Sequence, residues 1–187
     1  MKSNNPTRYH VPMPPNDRQR APEPEWLSDV EQAAWRSYIR AAGRVNRLVS
    51  RQLKDAHDLS IEDFGILAML SESEGHRLRF GELCRLLCLP GPFLTYRARR
   101  LEEAGLVERL DCPDDKRAAY LALTPSGASA VVETAPCHVA SVRRAIFDHL
   151  DDDQLTAFAE VMNVLDRALG HDPDRECDGT IGADGQG

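Results

Sequence analysis

Apolar residues recur at helical spacing over most of the chain. Between Trp26 and Leu53 they fall at Trp26, Val30, Ala34, Tyr38, Ala42, Val45 and Val49, every third or fourth position, which predicts one long helix. Ser28 followed by Glu31 has the form of a capping box and sets its start. At 1.5 Å per residue such a helix spans about 39 Å, longer than a core of this size can cover, so a second chain is expected on part of it. A second helix is predicted after Ser60, a good N-cap, with Phe64, Leu67, Ala68 and Leu70 inward and an end near Gly75. Residues 81–88 and 92–104 read as two short helices broken by "LPGP". There Pro90 and Gly91 turn the chain, and Pro92 takes the first helical position, where its missing N–H is no loss. Gly105 is placed to cap the second of them in the left-handed conformation.

The period then changes. "LVERL" (106–110) and "AAYLAL" (118–123) alternate on either side of the polar turn "DCPDDKR", which predicts a hairpin. Thr124-Pro125 opens another helix, with Thr as N-cap and Pro at the first position. Its stripe of Val131, Ala135, Val139, Val142 and Ile146 continues past Pro136 to about Leu150, so Pro136 should kink the helix rather than end it. A last helix starts at Asp151, with Gln154 completing its cap, and stops at Gly170. The predicted class is mainly α with a small β-hairpin wing. Two short helices with a tight turn, followed by a hairpin with a basic tip, make a winged helix-turn-helix, here flanked by long helices suited to dimerisation. The expected organisation is a Pro-rich arm (1–24), a folded region (25–170) and an acidic Gly-rich tail (171–187). Within the folded region, 25–58 and 125–170 are the dimerisation helices and 59–124 the winged DNA-binding module.

Charge narrows the chemistry. The 187 residues hold 23 Lys and Arg against 30 Asp and Glu, a net charge of −7. A polycation that coats nucleic acid or anionic membrane through bulk charge is excluded, and any nucleic-acid contact must come from a local basic face. The arm holds Pro6, Pro12, Pro14, Pro15, Pro22 and Pro24 and carries net +2, while the tail carries net −4. Neither has the apolar residues to offset its ordering entropy, so both are expected to be disordered. The arm as an additional DNA contact is the functional alternative to a solvated segment. No apolar run approaches the roughly 18 residues of a membrane span, and the first residues lack a secretory apolar stretch. Five cysteines (84, 88, 112, 137 and 177) form no dense framework and fit reduced thiols, so a cytoplasmic protein without a membrane partner is expected.

In the helix at 92–104, Leu94, Ala98 and Leu101 share one face and should meet the core. Thr95, Tyr96 and Arg99 then point outward, with Phe93 and Arg100 at the margins, Arg97 one turn round, and Pro92 at the tip. Such a helix fits a major groove, where Arg reads guanine bidentately and Thr or an aromatic ring touches a thymine methyl. A solvated basic face is the plainer alternative, and the hairpin that follows favours DNA. Which of Arg97, Arg99 and Arg100 meets bases and which phosphate stays open; Arg100 equally fits a brace for the wing. Cys84 and Cys88 stand one helical turn apart and cannot bond without unwinding, and no second Cys/His pair accompanies them, so neither metal nor cofactor is expected. His57, His138 and His149 are scattered with no nucleophile beside them, and no phosphate loop or H-E-x-x-H is present. No catalytic residue is assigned. An enzyme or a protein-interaction module on the same scaffold is the remaining alternative.

Asp115, Arg117, Leu123, Thr124 and Gly127 spell "DxR-x5-LT-x-x-G", which resembles the MarR family of dimeric transcriptional regulators. "RRLEEAGLVER" (99–109) is similar to that family's recognition-helix end and wing entry. "WLSDVEQAAWRSYIR" (26–40) and "APCHVASVRRAIFDHLDDDQL" (135–155) resemble the first and fifth helices of its actinobacterial members. The resemblance covers about 26–170. "LPGPFLTY" departs from it, since members more often start the recognition helix Ser-rich. The resemblance implies an obligate homodimer on a pseudo-palindromic operator, with Arg117 entering the minor groove, Asp115 orienting its guanidinium and Lys116 beside them. It also implies a ligand-responsive repressor, with a small aromatic or anionic effector held between the dimer helices and the winged module. Trp35, Tyr38 and Arg40 are candidate lining residues, although a packed helix stripe explains them equally. A Cys-based redox regulator of the same fold is the alternative, but that branch senses near its first helix and this chain has no Cys before Cys84.

Overall fold

The computed structural model describes residues 25–111 and 119–170. The expected arm, wing tip and tail lie outside the described residues, and with them Asp115, Lys116 and Arg117.

The chain separates after Tyr38 into two units. In the first, helix α1 (Asp29–His57) begins under the expected capping box: the Glu31 carboxylate accepts the Ser28 N–H and hydroxyl at 2.7 Å each, and the Ser28 hydroxyl accepts the Glu31 N–H at 3.3 Å. These bonds hold the Glu31 carboxyl below its ordinary range. The residues up to Tyr38 are all exposed, Trp26 at 81%, and the rings of Trp35 and Tyr38 stack with centroids 5.9 Å apart.

The second unit continues α1 and adds α2 (Ile61–Glu72), β1 (Arg77–Arg79), α3 (Phe80–Leu87), α4 (Gly91–Glu103), β2 (Val107–Asp111), β3 (Ala119–Leu123), α5 (Pro125–Ala145) and α6 (Asp152–Leu169). Val49 and Leu53 of α1 join Phe64, Ile66, Leu67 and Leu70 of α2, Leu83 and Cys84 of α3, Leu94, Ala98 and Leu101 of α4, and Val107 and Leu121 of the sheet in one core. α1 outruns the expected Leu53 by one turn because Lys54 and His57 suit a helix C-terminus, and it stops where Asp58 turns left-handed at φ 54°. Ser60 and Asp63 close a reciprocal cap on α2. The helix ends at Glu72, short of Gly75, which instead supplies a positive φ of 65° in a 3-10 turn. Pro136 lies inside α5 without ending it, but α5 stops at Ala145 rather than Leu150, and Phe147–His149 form a 3-10 turn. The Asp151–Gln154 cap on α6 is present.

The sheet holds one strand more than the predicted hairpin. β3 is central and antiparallel to both neighbours, in the order β1-β3-β2, with Leu78 of β1 opposite Leu121 and Arg109 of β2 opposite the same residue. Three residues, Arg-Leu-Arg, are too short to register as alternation, which is why β1 escapes a sequence pattern. Among the described residues no helix is long and apolar enough to cross a membrane.

Candidate nucleic-acid interface

Helix α4 is fixed at both ends by backbone chemistry. Cys88 ends α3 in the left-handed region at φ 52°, its N–H shared between the carbonyls of Cys84 and Arg85. Leu89 N–H returns to the Cys84 carbonyl at 3.0 Å, and the extended Pro90 starts α4 with Pro92 in its first turn. At the other end Gly105, at φ 70°, sends its N–H to the Glu102 carbonyl. Leu94, Ala98 and Leu101 are buried as the spacing predicts.

That burial leaves Pro92, Phe93, Thr95, Tyr96, Arg99 and Arg100 exposed along one side of α4, Tyr96 at 56%. Arg99 pairs with Glu103 at 3.1 Å, an exposed contact that a stronger anion can displace. Arg97 departs from the set with which the sequence grouped it. Its side chain is only 12% exposed and turns toward the start of α2, where one guanidinium nitrogen donates to the Ser60 hydroxyl at 2.8 Å and the Glu62 carboxylate at 3.0 Å. The other stands 3.6 Å from Asp63, and the guanidinium carbon lies 5.3 Å from the Phe93 ring centroid. Two acids in the first turn of α2 draw it there. Desolvation pushes the Glu62 carboxyl up, but bonds from its own backbone N–H, Ser60 and Arg97 outweigh this and hold it below its ordinary range.

The wing root is braced by residues that the sequence reading did not single out. Arg109 of β2 bonds Glu102 of α4 at 3.0 Å and lies 4.8 Å from the Phe80 ring centroid, filling the bracing role considered for Arg100. Arg77 and Arg79 stand 5.0 and 5.6 Å from the ring centroid of Tyr120 on the outer face of the sheet, and Arg79 donates to its hydroxyl at 3.3 Å. The third strand, which the sequence pattern did not reveal, places these two arginines beside Tyr120. Thr124 ties the wing to α5: its hydroxyl donates to the Gly105 carbonyl at 2.7 Å and accepts the Gly127 N–H at 3.0 Å, while its N–H donates to the Leu106 carbonyl at 3.1 Å.

Away from α4, an open pocket of about 470 Å³ lies between the C-terminal half of α1 and α5, lined by Gln52, Cys137, Ser141, Arg144 and Asp148 among others. Both amide atoms of Gln52, the Thr134 hydroxyl and the His138 Nδ1 are buried without a hydrogen-bond partner. None of Trp35, Tyr38 and Arg40 lines this pocket; all three are exposed. Cys84 is buried, Cys88 and Cys137 are exposed and none of the three forms a disulfide, while Cys112 and Cys177 lie outside the described residues. Among the described residues no group of three or more His, Cys, Asp or Glu could hold a metal ion.

A helix pair with a tight turn, a basic exposed second helix and a three-stranded wing define a winged helix-turn-helix protein. Comparison with known proteins agrees. The profile of the MarR family matches residues 57–118. Sco3205 of Streptomyces coelicolor, a MarR family transcriptional regulator solved in complex with DNA, is 36% identical with a TM-score of 0.78, over 84% of this chain and 98% of its own. AbsC, a MarR family transcriptional regulator of the same organism, is 34% identical with a TM-score of 0.74, over 78% of this chain and 98% of its own. The HTH-type transcriptional regulator FarR of Neisseria gonorrhoeae is 35% identical over 77 residues, and the match spans about half of that relative, 51%. The chain belongs to the MarR family, and these relatives are transcriptional regulators rather than enzymes.

Proposed function

We propose that this protein is a sequence-specific transcriptional regulator that binds a pseudo-palindromic operator as a homodimer in the cytoplasm and acts as a ligand-responsive repressor. The observation that carries the reading is the exposed face of α4, where Thr95, Tyr96, Arg99 and Arg100 stand clear of the core on a helix fixed at both ends. Thr95, Tyr96 and Arg99 read base edges, Pro92, Phe93 and Arg100 flank them, and Asp115, Lys116 and Arg117 meet the adjacent minor groove. Residues 59–124 form the DNA-binding module, and 25–58 with 125–170 join two copies. The exposed apolar side chains of α1 and α6 support that pairing.

The effector half rests on the pocket between α1 and α5. Gln52 offers an unpaired amide and Arg144 offers positive charge to a small anion, while Arg143 is paired with Asp148 at 3.3 Å in the same lining. A ligand there acts only through a difference in affinity between the DNA-competent state and another.

The test is binding of the full chain to genomic fragments, followed by comparison of the selected site with random DNA at physiological salt. A selected inverted repeat that outcompetes random DNA by about 10³-fold or more is expected. Arg117→Ala should lower the slope of log K against log salt by about 1.8 per dimer, two contacts at roughly 0.9 each. Equal affinity for all sequences would overturn the proposal.

A further inference from the structure

We propose that Arg97 is the positioning residue of the DNA-reading helix: without touching DNA, it clasps the N-terminal cap of α2 and so fixes the roll of α4. The inference rests on the reading of α4 as the helix that meets DNA, and it adds what holds that helix in register.

The apolar seam of α4 is nearly non-directional. Leu94, Ala98 and Leu101 gain from burial in proportion to area, and a small residue at the middle of the seam gives little resistance to roll about the helix axis. A roll of about 20° on a helix of about 5 Å outer radius moves a side-chain tip by roughly 2 Å. A hydrogen bond to a base edge tolerates only a few tenths of an ångström. Backbone bonds at its ends and the Arg109–Glu102 pair hold α4 at its termini, and the clasp adds a directional tie along its length. The planar guanidinium of Arg97 reaches the Ser60 hydroxyl at 2.8 Å, the Glu62 carboxylate at 3.0 Å and the Asp63 carboxylate at 3.6 Å. One nitrogen holds two partners while the other faces Asp63, a spread of donors over a rigid plane that a lysine point charge would not reproduce.

The placement is otherwise unfavourable. The first turn of a helix carries partial positive charge, so a guanidinium there is repelled unless acids compensate. Glu62 and Asp63 supply them, and Asp63 is only 5% exposed at its side chain, so loss of Arg97 would leave that buried carboxylate with the Ser60 N–H but no facing cation. Ser60 and Asp63 are also the two halves of the cap that starts α2, directly after the left-handed Asp58 that ends α1. The clasp thus ties the reading helix to the α1–α2 junction.

The experiment measures the affinity of full-length Arg97→Lys, Arg97→Met and Glu62→Gln variants for the selected operator, for single-base-pair variants of it and for random DNA, each against salt. The clasp predicts that all three variants lose at least five-fold in the operator-to-random ratio. The loss should spread over every base pair that α4 reads, with the salt slope on random DNA unchanged. Glu62→Gln is decisive in sign and guards against misfolding of the arginine variants. Removing an acid should strengthen binding to all DNA if charge alone mattered, whereas the clasp requires operator binding to weaken. A fall of about 1.8 in the salt slope of the arginine variants, or relaxed preference at one base pair only, would make Arg97 a direct DNA contact and overturn the inference. A wild-type chain that failed to discriminate operator from random DNA would instead remove the DNA-reading role of α4 on which it stands.

Discussion

Gly127 shows how a single missing Cβ sets a joint. A methyl group there would stand 2.0 Å from the Leu106 carbonyl oxygen and 2.8 Å from a Leu123 methyl, so α5 can start against the wing root only with glycine. The "LT-x-x-G" of the sequence is therefore structural: Thr124 makes the bonds and Gly127 makes the room. Gly127→Ala should destabilise the chain by about 1–3 kcal/mol through overpacking, read as a lower urea midpoint at an unchanged m-value. His138 offers a second residue-scale expectation. Its ring packs against Phe64 at 4.6 Å, and burial holds its pKa below the ordinary 6.5. The unfolded chain binds that proton at higher pH than the folded one, so the contribution is complete above pH 6.5 and is lost as pH falls through the lower folded value. Thermal melts of the wild type should therefore fall more steeply than those of His138→Gln as the pH drops below 6.5.

At the scale of elements, α4 separates base reading from support. Tyr96→Ala and Arg99→Ala should each narrow the gap between operator and random DNA by about 1–3 kcal/mol per half-site, measured by competition binding. Leu94→Ala should instead lower the melting temperature, since that side chain is fully buried, by about 2–5 kcal/mol of stability. The helices were legible in the sequence because caps and apolar periodicity are local: Ser28, Ser60, Thr124 and Asp151 each mark a true start. What escaped was non-local. β1 is a strand only because β3 accepts it as a neighbour. Arg97 lies between exposed Tyr96 and buried Ala98 at the margin of the helix face, and only the acids of another helix decide that it turns inward. The α1–α5 pocket is formed by side chains about 85 positions apart along the chain, which no spacing rule joins.

At the scale of the molecule, the expectation of a partner rests on surface left uncovered. Leu155, Phe158, Val161, Val164, Leu165 and Leu169 of α6 are all exposed, as are Val30, Trp35 and Ile39 of α1. So much apolar surface on two helices is unusual for a monomer in water. Light scattering should give about twice 20.8 kDa, and Val161→Asp with Leu165→Asp should move the chain toward the monomer and weaken operator binding with it. The central place of β3 has a further consequence. Because β1 runs directly into α3 and β2 follows α4 after three residues, the sheet closes a loop of chain around the reading helix. On the DNA reading proposed here, the winged module works as a caliper. One base pair inserted between the groove that α4 reads and the flank beside the hairpin rotates that flank by about 35°. Among the described residues β3 is hydrogen-bonded on both sides, which resists such a rotation, so on this reading a half-site is gauged by its length as much as by its letters.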